Sequence, residues 1–164
     1  SDLATGPLYG VHFKRRRKGR TDYAKRIKLL KSRKPRLVVR KTSRGVICQI
    51  VRFNEKGDET VASAHSKTLQ KIGFKPKRNT PTAYLTGLKA GKAAKKKGVK
   101  KVVLDVGLHP ATKGSILFAC LKGAADAGLE AGYGEEKMPS EERIAGKHLQ
   151  TEGFEEAKKK ILGN

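Results

Sequence analysis

Apolar residues in this chain follow two different rhythms, and the change between them falls near position 79. Before it lie three β-branched runs, "RLVVRKT", "VICQIVRF" and "ETVASAHS", separated by "SRG" and "NEKGD". Such residues suit a pleated, half-buried surface. Gly45 and Gly57 fall in the separators, where tight hairpin loops call for positive φ. The pattern predicts a three-stranded antiparallel meander. In its first strand Val38, Arg40 and Thr42 share one face and Leu37, Val39 and Lys41 the other, because side chains alternate along a strand. The end nearest "SRG" is therefore polar on both faces, and is expected to be exposed or bound to a partner.

From Asn79 to about Gly128 the period becomes helical. In "NTPTAYLTGLKAGKAAKKKG" Thr80 is placed as N-cap with Pro81 at the first helical position, and Leu85 and Leu88 give an apolar edge. Lys95, Lys96 and Lys97 lie at the carboxyl end, where the helix dipole favours cations, and Gly98 ends the helix. "KKVVLDVGL" reads as a buried strand. "GSILFACLKGAADAG" reads as a second helix, with Leu117, Cys120, Leu121 and Ala124 on one side and Gly128 closing it. Strands followed by helix–strand–helix predict an α/β domain with a mixed sheet, the meander plus a further strand, over residues 35–134. Residues 1–34 read as a basic arm. Within it "TDYAKRIKLL" suggests a short helix capped by Thr21 or Asp22, too short to be stable alone and expected to order with its partner. Residues 135–164 read as a helical tail of one or two short helices, with Ser140 before "EERI" as an N-cap. Several of the chain's few acids lie there, which places the main polyanion contact elsewhere.

Charge sharpens this picture. Lysine and arginine number 38 against 15 acids, a formal charge of +23 on 164 residues. Such a domain repels itself and calls for a polyanion, which favours nucleic acid. A membrane surface would require an amphipathic helix with large apolar residues on one side, whereas the basic helical stretches here carry Ala and Gly. No run approaches the roughly 20 apolar residues of a membrane span, and "SDLATGPLYG" lacks a secretory pattern. A soluble intracellular protein is expected. The apolar fraction of 37% suits a compact core plus a segment outside it. Cys48 and Cys120 sit in apolar runs and read as core packing rather than a disulfide.

The same stretches hold the residues that could carry chemistry. "VVLDVGLHPATKGSILF" has the strand–loop–helix form of a phosphate-binding loop, but the second glycine required after Gly107 falls on Thr112, and Lys113 precedes Gly114. Ser115, at the helix start, could still hold one phosphate oxygen. Asp105 could belong to a nuclease, which needs several carboxylates converging on metal. Asp22, Asp58 and Asp126 are not expected beside it, so Asp105 is read as accepting a hydrogen bond or facing a basic neighbour. His12, His65, His109 and His148 lack metal-ligand spacing with the cysteines. The reading is a binder and not an enzyme, with no cofactor, metal or small-molecule substrate.

The binding surface begins in the arm. "FKRRRKGRTDYAKRIKLLKSRKPR", Phe13 to Arg36, holds thirteen lysines and arginines. Arginine suits bidentate phosphate contacts, and Tyr9, Phe13 and Tyr23 are interleaved as rings for unpaired bases. The polar hairpin end, Arg40, Lys41, Thr42, Ser43 and Arg44, would extend that surface. With 6–10 phosphate contacts, affinity would fall about 10³–10⁵-fold between 50 and 200 mM salt, so selectivity must come from shape.

"FKRRRKGRTDYAKRIKLLKSRKPRLVVRKT", "ASAHS", "NTPTAYLTGLKAG", "VVLDVGL" and "GAADAGL" occur in that order. Together they resemble the large-subunit ribosomal protein family that binds 5S rRNA, L-eighteen in bacteria and archaea and L-five in eukaryotes. The resemblance spans roughly Thr5 to Gln150. Length and arm look like the archaeal version, since the eukaryotic one carries a long carboxyl extension. It implies a ribonuclease-H-like, translational-machinery-component fold without catalysis, in a cytoplasmic ribosome. It also implies docking of 5S rRNA to 23S rRNA at the central protuberance beside neighbouring ribosomal proteins. By resemblance Lys14, Arg15, Arg16, Arg17, Lys18, Arg20, Tyr23 and Arg26 lie against RNA, with Phe13 and Arg33 in the same arm. Arg36 through Arg44, and Ala64 to Ser66 with His65 among them, correspond to a sheet region facing 5S rRNA. "GLHPATKGS" departs from the family pattern. The alternatives are a non-specific nucleic-acid packaging protein and a nuclease-type RNA-processing enzyme.

Overall fold

The computed structural model describes residues 34–105, 116–131 and 153–163. The elements run β1 (Arg36–Lys41), β2 (Val46–Arg52), β3 (Glu59–His65), a 3₁₀ helix (Ser66–Ile72), α1 (Thr80–Lys96), β4 (Lys101–Asp105), α2 (Ile116–Asp126), β5 (Glu130–Ala131) and α3 (Phe154–Gly163). The five strands form one mixed sheet in the order β3-β2-β1-β4-β5. β1 pairs antiparallel with β2, and β2 with β3; β4 lies parallel to β1, and β5 parallel to β4.

One face of this sheet makes the core. Leu37, Val39, Val46, Cys48, Ile50, Ala62, Ala64 and Val102 all point to it and are buried. α1 and α2 pack side by side over these residues. Their contact is close because it is built from glycine. A Cβ on Gly87 would stand 2.1 Å from the Cys120 carbonyl oxygen, and one on Gly123 would stand 2.2 Å from that of Tyr84. The "GLKAG" and "KGAADAG" stretches are thus the seam between the two helices.

α1 is buried on almost every side from Thr80 to Leu88, where sequence suggested only an apolar edge at Leu85 and Leu88. It lies between the sheet, α2 and α3, and its small residues and threonines allow this. Thr86 donates its hydroxyl to the Thr82 carbonyl at 2.7 Å, so the buried oxygen stays satisfied. The N-cap is Asn79 and not Thr80: its side-chain oxygen accepts from the Thr82 amide at 3.1 Å. At the other end Gly98 adopts φ +90° beyond the last turn, as expected of the helix stop. The short β5 strand was not foreseen.

Gly57 has the positive φ expected of it (+132°), but Gly45 is not among the glycines with positive φ. Space fixes Gly45 instead, since a Cβ there would fall 2.1 Å from the Ser66 hydroxyl. Of the expected tail, α3 is described. It buries Phe154, Ala157 and Ile161, with the Phe154 ring 5.7 Å from Tyr84 and the Lys158 ammonium over the Tyr84 ring. The expected short helix near Ser140 lies outside the described residues. No helix of the described residues is long and apolar enough to cross a membrane.

Candidate nucleic-acid interface

The opposite face of the sheet is set by register. Arg40 pairs with Ile47 and Ile47 with His65, so these three side chains form a row across β1, β2 and β3. Val38, Gln49 and Ser63 make the next row, with Asp105 beside Val38 on β4. Ser63 and Arg40 are exposed; Val38, Ile47, Gln49 and His65 are half-buried. Where this face meets the β1–β2 turn, Lys41, Ser43 and Arg44 are exposed and Thr42 is half-buried. The hairpin end predicted to be polar on both faces is thus a cationic tip, continuous with a mixed polar and apolar surface.

Three local contacts hold the tip. The Thr42 amide donates to the Gly45 carbonyl at 3.0 Å and closes the turn. Ser66 is 1% exposed and accepts the Val46 amide at 3.0 Å through its hydroxyl. His65 caps the 3₁₀ helix: its Nδ1 accepts from the Lys67 amide at 3.1 Å. In the neutral ring that acceptor role leaves the proton on Nε2, making it the donor edge of the row.

Two of the predicted contact residues turn inward. Arg36 is 2% exposed, with Nη2 at 2.6 Å from Asp58 Oδ2 and Nη1 at 3.3 Å from Asp105 Oδ2. It ties β1 to the β2–β3 loop and to β4, since a buried guanidinium requires carboxylate partners. Ser66 is likewise spent on the Val46 amide. The same contacts correct the expectation that Asp58 lies away from Asp105, for both hold one guanidinium, while Asp105 does face a basic neighbour as anticipated. Among the described residues no cluster of three His, Cys, Asp or Glu could hold a metal ion.

Arg40, Lys41, Thr42, Ser43, Arg44 and His65 are brought together at the tip. Phe13, Lys14, Arg15, Arg16, Arg17, Lys18, Arg20, Tyr23, Arg26 and Arg33 lie outside the described residues, as does Ser115. Ile47, Gln49 and Ser63, not singled out in the sequence, share this sheet face with Arg40 and His65 through strand alternation and the pairing register. Cys48 and Cys120 are free and fully buried, the Cys48 thiol donating to Cys120 Sγ at 2.8 Å. Burial pushes the Cys120 thiol well above its ordinary value. They pack α2 onto β2.

Comparison with known proteins agrees in kind. The family model described as ribosomal large subunit proteins 60S L5 and 50S L18 matches residues 8–101 and 89–134. The large ribosomal subunit protein uL18 of Methanothermobacter thermautotrophicus is 52% identical over 148 residues, 90% of this chain and 77% of that protein. The uL18 proteins of Korarchaeum cryptofilum and Methanoregula boonei are each 51% identical over 148 residues, covering 90% of this chain and 76% and 85% of theirs. With a basic hairpin tip on an α/β domain and a family match over most of its length, the chain belongs to the family of ribosomal large subunit proteins 60S L5 and 50S L18.

Proposed function

We propose that this protein is a structural, non-catalytic constituent of the large ribosomal subunit in the cytoplasm. It binds 5S rRNA and helps attach it to 23S rRNA at the central protuberance, beside neighbouring ribosomal proteins. The observation that carries the reading is the cationic tip, Arg40, Lys41 and Arg44, continuous with the sheet face that carries Ile47 and His65. Phosphates would sit on the tip, and the row of Arg40, Ile47 and His65 would meet sugar and base edges in a shallow groove. The basic arm adds contacts and supplies counter-charge to the RNA. The meander-plus-strand domain belongs, on this reading, to the ribonuclease-H-like, translational-machinery-component type.

A salt series of binding to 5S rRNA and to a structured RNA of equal size tests it. A preference of tenfold or more, about 1.4 kcal/mol, should persist as salt rises. The double variant Arg40→Gln, Arg44→Gln should flatten the slope of log K against log salt by about 1.4–1.8 if each removes one phosphate contact. Equal affinities for both RNAs, falling together with salt, would make the protein a packaging protein instead.

A further inference from the structure

Cys48 and Cys120 have no part in the RNA-binding reading, yet the fold brings them together. They are the chain's two cysteines. They lie 72 positions apart, their sulfurs stand 2.8 Å from each other, and both side chains are fully buried free thiols. A disulfide holds its sulfurs about 2.05 Å apart, so closing this pair takes a movement of roughly 0.8 Å.

Rigid elements hold each sulfur in place. β2 is an inner strand of the sheet, with Cys48 paired to Val39 of β1 on one side and to Ala64 of β3 on the other. Cys120 lies in α2 at the glycine seam, where a Cβ on Gly87 would fall 2.1 Å from the Cys120 carbonyl oxygen and 2.7 Å from its Cα. A slide of α2 along α1 would lose that fit. No third cysteine competes, so folding sets a single intramolecular pairing. The same burial keeps the pair inert once packed. The thiolate is the form that attacks a disulfide, and burial keeps the Cys120 thiol protonated. A mixed disulfide also needs room for its small-molecule half, and neither cysteine has exposed surface.

We infer that Cys48 and Cys120 form a redox latch, in which a disulfide between β2 and α2 is made or broken only while the domain is open and is locked in when it closes. The co-reactant is a small-molecule disulfide such as oxidised glutathione. In the open chain one cysteine thiolate attacks it, forming a mixed disulfide and releasing one small thiolate. The second cysteine then attacks the protein-side sulfur of that bond, which breaks and releases the second small thiolate. Two protein thiols are oxidised, one small disulfide is reduced, and the two protons pass to the small thiols. Redox conditions during folding, and not afterwards, set which form persists. The latch is independent of which RNA the protein binds.

The test needs no variant, because the oxidised and reduced forms share one sequence. The full chain, reduced and unfolded in urea, is refolded by dilution into a mixture of oxidised and reduced glutathione. A second sample meets the same mixture already folded. Both are then denatured and alkylated, and intact masses are measured. The refolded sample should be a monomer without alkyl groups and lighter by two hydrogen atoms, whereas the folded sample should carry two alkyl groups. Linking cysteines 72 positions apart should raise the melting temperature by about 10 °C over the reduced form. Added reductant should cleave the bond in urea and spare it in the folded protein. Glutathione adducts or free thiols after refolding overturn the pairing. A melting temperature at or below that of the reduced form means a strained bond and overturns the fit. Oxidation of the folded sample as fast as of the refolding one overturns the latch.

Discussion

Replacing Arg36 by alanine separates a structural cation from an RNA-binding one. The guanidinium is 2% exposed, while the Asp58 and Asp105 side chains it joins are 26% and 18% exposed. Removing one partner of a buried ion pair costs about 3–5 kcal/mol, because the remaining charge loses its compensation. Here both carboxylates reach water in part and can be rehydrated, which places the loss near the lower end, about 3 kcal/mol. At about 2–4 °C per kcal/mol for a chain of this size, the melting temperature should fall by roughly 6–12 °C. Arg36→Lys should recover part of this, since one ammonium cannot match the fork that reaches both Asp58 and Asp105. Arg40→Ala, on the exposed tip, should stay within about 0.5 kcal/mol of wild type. The assay is paired: thermal melting by circular dichroism, and 5S rRNA affinity well below the melting point. Arg36→Ala should lose stability and keep its RNA affinity, and Arg40→Ala the reverse. The reasoning fails if Arg36→Ala melts with the wild type and loses affinity as Arg40→Ala does.

Gly87→Ala should destabilise, because overpacking against the Cys120 carbonyl costs about 1–3 kcal/mol or more and exceeds the gain of roughly 1 kcal/mol from helix propensity. Gly163→Ala, whose Cβ would meet nothing within 4 Å, is its control in the same melts and should be neutral or slightly stabilising. Asn79→Ala removes the oxygen that caps the Thr82 amide and should cost about 1 kcal/mol. Restoring a cap with Asn79→Asp should recover most of that in urea titrations.

How much of this was legible in the sequence depended on how far each signal had to travel. Alternation along "RLVVRKT" and "VICQIVRF" is local, and it yielded both strands and the exposed tip. Helical spacing of Leu117, Cys120, Leu121 and Ala124 is equally local, and all four are buried in α2. α1 was harder, because Thr, Gly and Ala read as weakly amphipathic. Their burial follows from an approach between helices that only glycine permits, and no pattern within one helix announces it. The role of Gly45 is set by Ser66, 21 positions on, and so a turn signal was read where a close approach was the cause. β5 has two residues and no period to detect.

Cations show the limit most clearly, because lysine and arginine look alike in sequence whether they bind RNA or hold the fold. Arg36 sits four residues from Arg40 on the same face of β1, in one continuous basic run. Its partners lie 22 and 69 positions away, and only the sheet order places Asp105 of β4 beside it. Lys92 and Lys160 find their carbonyls 69 and 88 positions away, so their ammonium groups tie α1 to α3 and α3 to the 3₁₀ helix. The +23 charge is thus divided by register and packing into groups the fold consumes and groups it presents. Basic substitutions should therefore be ranked by what lies across the sheet or the neighbouring helix rather than by their neighbours in the chain. Arg36 belongs with the core despite its basic surroundings, because its guanidinium is 2% exposed between Asp58 and Asp105.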